Sequence, residues 1–438
     1  MGVSPFSGGE CQWHQARGWR LSVPDWIHFE SVLPPHFNEV GVHLEDPITK
    51  YLPELKSQSS PVRWGNVTLA SFGKHLSGIP PNYNGFEFYF LAPLYEQLDF
   101  PHLDKDDYDI CGVAGLNKAC TREQLLAGML DISPITVPFS RPVYSQLSYS
   151  LFMLAVGEAT GKNYDQLLDE LIIQPMGMKN TGASPGNDAK AVIPPGLHSW
   201  GADFALNAPG GGLYSSTNDL VILASSILQK SMSSSRSMLV DNPWEIQRTT
   251  TLTPDHPHTI DIYGKSGGSN GYVSQFSIVD QYGVGFVVLT AGLPGSVSIL
   301  NEAMIGSLMP AFEQETGDQA HKYIGTFTNT SDSSSQYAKK QSDAPITLSL
   351  SMDDKPSLKL DVLTRSGSSI TDAVIGIFSQ ALPMIGILNT YFRLYPSEYE
   401  VLVPANENEV YSNLPSEYGA SGKKLIREHW RINIDTLP

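Results

Sequence analysis

The sequence of 438 residues is poor in cysteine and in basic residues. Its 3 cysteines exclude a disulfide-rich scaffold and a four-cysteine zinc site, and they allow at most one bridge within the chain. Lys and Arg number 28 against 45 Asp and Glu, a formal net charge of -17, so the average surface repels nucleic acid and anionic membranes. Neither is therefore expected as a partner.

Targeting segments and long apolar runs are also missing. Residues 1–9 lack the basic and apolar regions of a secretion signal, which predicts a cytoplasmic protein by default. The most apolar late stretch, residues 374–388, contains Ser379, Gln380 and Pro383 and is too short to cross a bilayer, so we expect it in a core. With 41% hydrophobic and 17% charged residues, the chain has the composition of a folded protein.

Periodicity divides the chain into three regions, which we place at residues 1–35, 36–317 and 318–438. The first shows neither helical nor strand periodicity and is expected to be irregular. The second has helices followed by a hairpin, which predicts an α+β fold with helices beside an antiparallel sheet. The third contains a Ser- and Asp-rich linker at 329–345 and then short strand-like pieces, which predicts a small, mainly β domain.

Helices and a hairpin are marked most clearly in the middle region. Residues 121–124 form a capping box before a helix. A second helix from Tyr164 is expected to stop at Pro175, and a third begins near Asn218 with apolar residues on one face. Two β-branched and aromatic runs within residues 272–290 predict an antiparallel hairpin.

Two short patterns contain side chains suited to acid–base chemistry. Ser71 and Lys74 form an S-x-x-K pair, which on a helical turn places a lysine amine near a hydroxyl whose proton it could accept. A tyrosine such as Tyr144 is a poor base unless a cation stabilises its phenolate. A chance match and a core aromatic are the competing interpretations of these two patterns.

A third pattern begins at Lys265, which we expect at the start of an edge strand. A lysine there could present a cation, a hydroxyl and open backbone to a substrate carbonyl or carboxylate, and a solvated lysine before a glycine turn is the alternative. The residues that follow it would lie beside a bound substrate: Ser266, Gly267 and Gly268.

The remaining clusters predict neither a metal nor a cofactor. His256 and His258 flank a proline and have no cysteine or carboxylate cluster nearby, so a surface loop is favoured over a metal site. The glycines at 210–212 are not followed by Lys-Ser or Lys-Thr, which favours a tight turn over a phosphate-binding loop. We therefore expect a small-molecule substrate and no cofactor.

A series of segments stands in a distinctive order between about residues 41 and 292. In sequence they are 44–47, 67–80, 138–149, 161–164, 174–178, 209–220 and 263–272. The series closely resembles the landmarks of class C β-lactamases and their penicillin-binding-protein-like esterase relatives, in a fungal form with a C-terminal β domain. This resemblance implies the serine β-lactamase/transpeptidase-like fold and acyl transfer through a serine ester.

The resemblance assigns roles to four residues. Tyr144 matches the catalytic tyrosine that relays a proton, and Lys265 matches the lysine that supports that tyrosine and the substrate anion. Gln146 stands where the family has asparagine, and Ser266 stands where it often has threonine. We expect Tyr144 and Lys265 within hydrogen-bonding reach of each other, directly or through one water.

The nucleophile departs from the family pattern. In the family an S-x-x-K helix precedes the segment that resembles residues 44–47, whereas Ser71 follows that segment. The expected place holds Ser22, but Asp25 stands where lysine is required. Three explanations stay open: an aberrant or truncated N-terminus, loss of the usual nucleophile, or a rearranged site built on Ser71. Under the first two, Ser71 supports the site from behind.

Two functions follow from these observations. The first is a serine hydrolase or acyltransferase acting on an ester, amide or lactam of a small molecule, with fungal secondary metabolism as a setting. The alternative is a catalytically silent member of the same fold, a pseudoenzyme that binds or scaffolds, because the nucleophile segment is missing.

Two cysteines and two sequons depend on the compartment. Secreted relatives imply a bridge between Cys111 and Cys120, whereas a cytoplasmic chain would keep both as free thiols. The sequons at Asn66 and Asn329 would carry glycans only in a secretory pathway.

Overall fold

We describe a computed structural model of the chain. It describes residues 19–20, 41–83, 92–104, 107, 119–196, 198–233, 244–293, 295–328, 344–353, 355, 357–381, 391–404 and 423–435. The chain forms two units, the first made of Met1–Arg248 and Ile260–Gly306 and the second of Thr249–Thr259 and Ser307–Pro438. Within the described residues, no helix has the length and the apolar character needed to cross a membrane.

The first unit contains a small antiparallel sheet. Its strands are β1 (Trp19–Arg20), β2 (Gly182–Ala183) and β3 (Leu213–Ser215), in the order β1-β3-β2. Strand β1 falls in the region expected to be irregular, so that prediction is wrong for these two residues. They pair with Tyr214 and Ser215, a partner almost 200 residues away that local periodicity does not reveal. The rest of residues 1–35 lies outside the described residues.

A four-stranded sheet follows in the same unit, in the order β4-β5-β6-β7. Its strands are β4 (Glu245–Thr249), β5 (Ile260–Ser269), β6 (Tyr272–Val279) and β7 (Val284–Ala291). Strands β6 and β7 confirm the predicted hairpin, and Gly283 closes its turn with φ 62° in the left-handed region that glycine adopts readily.

The expected position of Lys265 at the start of an edge strand is wrong. Strand β5 lies between β4 and β6, and Lys265 stands in the middle of its ten residues. The error arose because β4 has no strong alternation of apolar and polar residues, so the strand that covers this edge of β5 has no clear sequence signature.

Nine α-helices are described up to residue 320. They are α1 (Leu69–Gly73), α2 (Ala92–Gln97), α3 (Arg122–Met129), α4 (Gln146–Thr160), α5 (Tyr164–Leu168), α6 (Gln174–Met176), α7 (Ala208–Gly211), α8 (Thr217–Ser233) and α9 (Ser296–Ala320). Single 3-10 turns occur at Ile48–Lys50, Pro53–Leu55, Trp64–Asn66, Asp188–Lys190, Ala205–Asn207, Asp280–Tyr282 and His321–Tyr323.

The start of α3 confirms the predicted capping box. The Thr121 hydroxyl accepts the Gln124 N–H at 3.3 Å, and the Gln124 side chain accepts the Thr121 N–H at 2.9 Å. Both bonds satisfy amide donors that would otherwise have no partner at the helix start.

The second predicted helix ends at Met176, one residue after the predicted stop at Pro175. After α5 the chain makes a π-helical turn at Asp169–Ile173 and continues through α6 to Gly177, whose φ is 69°. Proline lacks an N–H and its ring crowds the preceding turn of a regular helix, and the wider π turn accommodates both effects.

The core of the first unit lies between the four-stranded sheet and the helices. One cluster joins Phe276 and Ile278 of β6 with Leu220 and Ile227 of α8 and with Leu151 of α4. Since α4 is packed in this core, the residues at its N-terminal end are held in fixed positions.

The second unit contains a sheet in the order β13-β12-β10-β9-β8, with β11 paired to β10. Its elements are β8 (Gly325–Thr328), β9 (Ile346–Ser351), β10 (Leu358–Arg365), β11 (Ser368–Ser369), α10 (Ile370–Ala381), β12 (Tyr391–Pro404) and β13 (Lys423–Asp435). Helix α10 carries the first part of the apolar stretch 374–388, and its Val374 and Ile375 pack against the small core of this sheet. The predicted linker lies mostly outside the described residues.

Candidate active site

Tyr144 stands immediately before helix α4. Ser145 is the N-cap of the helix: its hydroxyl accepts the Ser148 N–H at 3.0 Å and donates to the Pro80 carbonyl at 2.8 Å. The Tyr144 side chain is 41% exposed, so it is not the core aromatic that was the alternative interpretation. Among the described residues, none forms a hydrogen bond with its hydroxyl.

A segment far earlier in the chain fixes the backbone on both sides of Tyr144. The Val143 N–H donates to the His75 carbonyl at 2.8 Å, and the Leu147 N–H donates to the Pro81 carbonyl at 3.0 Å. We call residues 75–81 the clamp segment. Its bonds constrain the backbone of the tyrosine between them.

The imidazole of His75 belongs to the same arrangement. It is buried, and its ring centroid lies 4.6 Å from that of Tyr144. Nδ1 accepts the backbone N–H of Ser145 at 3.2 Å, and Nε2 lies 3.2 Å from the Tyr149 hydroxyl. Because a backbone N–H can only donate, Nδ1 carries no proton, and the proton of the neutral ring is on Nε2. The Tyr149 hydroxyl then donates to the Gly73 carbonyl at 3.2 Å.

The pKa of His75 agrees with this neutral form. Burial, followed by the positive charge of Lys265, lowers the pKa of the imidazole to about 4. A protonated ring would also lose the acceptor that holds the Ser145 N–H.

Lys265 and Tyr144 are brought together. The Lys265 Nζ lies 4.9 Å from the centroid of the Tyr144 ring, a cation–π distance. The contact is to the face of the ring, and no direct hydrogen bond joins the two polar atoms; a link through one water stays a prediction. The lysine is only 4% exposed, so its ammonium is largely shielded from water even though the Tyr144 ring is not.

Glu245, on β4, is the partner that the sequence did not predict. Its Oε1 accepts a hydrogen bond from the Lys265 Nζ at 2.5 Å. Its Oε2 accepts two more from Ser266, one from the backbone N–H at 3.0 Å and one from the hydroxyl at 2.9 Å. Burial by itself would raise the pKa of the Glu245 carboxyl, but the hydrogen bonds and charge of Lys265 and Ser266 outweigh burial and lower that pKa. The carboxylate is therefore ionised at neutral pH.

The other residues predicted to contact a substrate are Gln146 and the three residues that follow Lys265. Ser266 and Gly268 are exposed, whereas Gly267 is buried and its carbonyl accepts a hydrogen bond from the Ser274 hydroxyl at 3.2 Å.

Gln146 is the first residue of α4 and is half-buried. Gly210 packs against it so closely that a Cβ at 210 would lie 2.8 Å from the Gln146 carbonyl oxygen. The glycine run at 210–212 thus ends a short helix beside Gln146 instead of forming the expected tight turn.

Ser71 and Lys74 are placed differently. Ser71 lies in α1 and is fully buried, and its hydroxyl donates to the Thr68 carbonyl at 2.6 Å. Lys74 is the residue that ends this helix and is partly exposed. A buried serine whose proton is already shared with a backbone carbonyl is poorly suited to attack a substrate. Ser22 and Asp25 lie outside the described residues.

The sequence did not predict two of the side chains at the site, His75 and Glu245. His75 lies within a segment that carries the family resemblance, but one histidine has no local signal for a role beside Tyr144. Glu245 has no sequence signal at all, because its contact with Lys265 depends on the pairing of β4 with β5.

Metal and disulfide chemistry are limited in the described part of the chain. No group of three His, Cys, Asp or Glu side chains there could hold a metal ion. Cys120 is disulfide-bonded, so the free-thiol expectation is wrong for it. Sequence spacing alone does not determine whether two thiols meet in space, and Cys111 lies outside the described residues.

Comparison with known proteins assigns most of the chain to two family models. Residues 37–305 match the model described as Beta-lactamase. Residues 316–435 match the model described as Beta-lactamase-like-like, C-terminal domain.

Curated relatives show the same similarity. The chain is 44% identical over 420 residues to a Beta-lactamase-like protein of Arthroderma benhamiae, covering 91% of this chain and 67% of the relative. It is 24% identical over 347 residues to the Probable hydrolase M10 of Phoma sp., covering 75% of this chain and 56% of that protein. It is 26% identical over 275 residues to the D-alanyl-D-alanine-carboxypeptidase/endopeptidase AmpH of Escherichia coli K12, covering 57% and 64%. The chain thus spans just over half the length of the Phoma hydrolase.

Among solved structures, a Beta-lactamase/D-alanine Carboxypeptidase from Yersinia pestis complexed with citrate aligns with a TM-score of 0.48 at 20% identity. The alignment covers 68% of this chain and 84% of that one.

Proposed function

Because the chain belongs to the beta-lactamase family, we propose that it is a serine hydrolase or acyltransferase acting on an ester, amide or lactam of a small molecule. The observation that carries the proposal is the position of the Lys265 ammonium 4.9 Å from the centroid of the Tyr144 ring. A cation held beside the ring stabilises negative charge that develops on the tyrosine oxygen while it relays the proton of a nucleophilic hydroxyl.

The residues of the site divide the work of acyl transfer. Tyr144 takes the proton from the nucleophile and returns it to the leaving group, and Lys265 stabilises the negative charge that the tyrosine acquires. His75 orients the tyrosine through its ring contact and its bond to Ser145. The Gln146 amide, at the start of α4, is suited to donate a hydrogen bond to the substrate carbonyl.

The nucleophilic serine in this proposal is not Ser71, whose hydroxyl is buried and bonded to Thr68. Ser22, in the region where the family places its nucleophile, is the candidate to test first. Labelling the full chain with a fluorophosphonate and mapping the modified peptide identifies the serine directly.

Substitution at the site gives the first prediction. Tyr144→Phe and Lys265→Ala are each expected to lower kcat/KM for a 4-nitrophenyl ester by about 10²-fold or more, the usual scale for a positioned proton-transfer group. Ser71→Ala is the matched control, since it removes a hydroxyl of the first unit that bonds only to its own helix, and most of the rate should remain. A Ser71→Ala protein that folds but is dead and unlabelled contradicts the assignment.

A second candidate function is a silent binding protein of the same fold. It is favoured by the burial of the Ser71 hydroxyl, because the S-x-x-K pair then supplies no nucleophile. Loss of the nucleophile costs about 10⁶-fold in kcat in a well-studied serine hydrolase. Absence of both ester turnover and fluorophosphonate labelling in the full chain would support this second function.

A further inference from the structure

A resident carboxylate occupies the place where the site would otherwise bind a substrate anion. Lys265 and the Ser266 hydroxyl are the groups expected to meet such an anion, and both are bonded to Glu245. We propose that Glu245 is a specificity-determining residue that excludes substrates with a carboxylate at this position and selects acyl substrates that are neutral there. This inference rests on the proposed function and names its substrate class.

The hydrogen bonds of Glu245 indicate that its carboxylate fills the position of a substrate anion and does not serve to bind a cationic substrate. Both carboxylate oxygens accept hydrogen bonds from within the protein, one from Lys265 and one from two donors of Ser266. Three donors of Lys265 and Ser266 thus bind the carboxylate, and the adjacent Lys265 ammonium balances its charge and would repel a substrate amine. A neutral group is the one that this arrangement disfavours least.

The donors of Lys265 lead to the same conclusion. Its ammonium has three N–H groups, and two of them are assigned, to Glu245 at 2.5 Å and to the Ser266 carbonyl at 2.7 Å. A substrate carboxylate that accepts the third N–H would lie beside the Glu245 carboxylate and meet its negative charge. Like charges placed together are a general means by which a site rejects the wrong ligand.

The ion pair also explains how Lys265 serves Tyr144 without binding an anion. Its side chain is 5% exposed, whereas that of Glu245 is 49% exposed, so the carboxylate stands on the solvent side of the pair. The ammonium is thus covered by the carboxylate and lies 4.9 Å from the centroid of the Tyr144 ring.

Two esters that differ by one charge test the proposal. The substrates are mono-4-nitrophenyl succinate, which is anionic, and its methyl ester, which is neutral. We expect the wild-type full chain to prefer the neutral ester in kcat/KM by at least about 10-fold. Glu245→Gln should shift the anionic-to-neutral ratio by at least about 10-fold toward the anion, since the amide keeps an acceptor but removes the charge.

Asp261→Asn is the matched control. It removes one negative charge from the neighbouring part of β5, where Asp261 pairs with Arg248 at 2.7 Å. This variant should leave the ratio unchanged, which separates a local effect of Glu245 from the general repulsion by a chain of net charge -17.

Binding measured without turnover separates this inference from the proposed function. Isothermal titration with benzylpenicillin and with its methyl ester reports the same charge preference even in a chain that hydrolyses nothing. We expect the wild type to bind the methyl ester more tightly than benzylpenicillin. The ratio of the two dissociation constants should be smaller in Glu245→Gln.

Several results would overturn the inference. They are a wild-type preference for the anionic ligand, an unchanged ratio in Glu245→Gln, an equal shift in Asp261→Asn, and failure of the neutral ligand to bind. Absence of turnover with the expected order of binding would instead count against catalysis alone.

Discussion

At the residue scale, His75 accepts one hydrogen bond through Nδ1 and lies beside the Tyr149 hydroxyl through Nε2. Only the neutral ring can do both, since both nitrogens of an imidazolium are donors. The folded state therefore favours an uncharged histidine at this position, and this preference connects the geometry around Tyr144 to pH.

The pH dependence of stability should show this preference. An unfolded histidine has a pKa near 6.5, and that of folded His75 is lowered to about 4, so between these values the unfolded chain binds a proton that the folded chain does not. The contribution of His75 to the free energy of unfolding is complete above about pH 7. It falls as pH falls, by about 1.4 kcal/mol per pH unit and about 3 kcal/mol in total. Urea unfolding between pH 7 and pH 4.5 measures it.

His75→Asn should flatten this part of the pH dependence. Asparagine offers an acceptor in place of Nδ1 and tolerates the left-handed backbone at this residue, whose φ is 55°. His43→Asn, at an exposed position of the same unit, is the control and should keep the wild-type slope. An equal slope in wild type and His75→Asn would show that His75 is not neutral in the folded chain.

At the element scale, the clamp segment connects α1 to the start of α4. Gly78 is its turning point: φ is 75°, and its carbonyl accepts the N–H groups of Ile135 and Thr136 at 2.8 and 3.3 Å. These bonds hold the loop that leads to Tyr144. A Cβ at position 78 would lie 2.3 Å from the Thr136 carbonyl oxygen, which leaves no room for a side chain.

Two glycine substitutions separate crowding from backbone strain. Gly161, at the other end of α4, has φ 71° but nothing within 4 Å of a Cβ. Gly161→Ala should cost about 1–2 kcal/mol from the left-handed backbone alone. Gly78→Ala should cost about 3 kcal/mol or more because the overlap with backbone adds to that strain. Chemical denaturation gives both values, and equal losses would contradict the crowding at Gly78.

At the scale of the whole molecule, the second unit has its own buried charge. Arg393 is 1% exposed, and its guanidinium donates to both oxygens of Asp353, at 3.0 and 2.6 Å, and to the Ser357 and Lys355 carbonyls. The bidentate geometry and the carbonyl acceptors satisfy a charge that would otherwise be costly to bury. These partners, Asp353, Lys355 and Ser357, belong to the second unit.

Arg393→Met tests whether the two units are energetically separate. Removing one partner of a buried pair costs about 3–5 kcal/mol, so the unfolding transition of the second unit should move to lower temperature in calorimetry. Ester turnover at 25 °C should be retained, because Tyr144 and Lys265 belong to the other unit. Arg365→Met, at an exposed position of β10, is the control. Loss of turnover at the temperature where the second unit unfolds would show that the site depends on that unit.

The sequence predicts those parts of the molecule whose signals are local. The helix after Thr121, the helix from Thr217 and the hairpin of β6 and β7 follow from capping residues and periodicity over short windows. The ordered series of segments also suffices to place Tyr144 and Lys265 together. These features need no knowledge of distant pairing.

The remainder depends on contacts between residues far apart in the chain. Glu245 meets Lys265 across 20 positions, and His75 meets Ser145 across 70. No propensity of a single residue encodes such pairs, because the free energy that favours them comes from the packed fold. The same reason explains why Lys265 is expected on an edge strand although β4 pairs with β5.

The fixed backbone around Tyr144 also has a kinetic consequence. With Val143, Ser145 and Leu147 all bonded to the clamp segment, the tyrosine keeps little motion beyond its own side-chain torsions. A loosely attached phenol would lose conformational entropy on reaching the transition state. For Tyr144 that entropy is already lost during folding. An Eyring plot of turnover should accordingly show a barrier that is mainly enthalpic, with a small activation entropy.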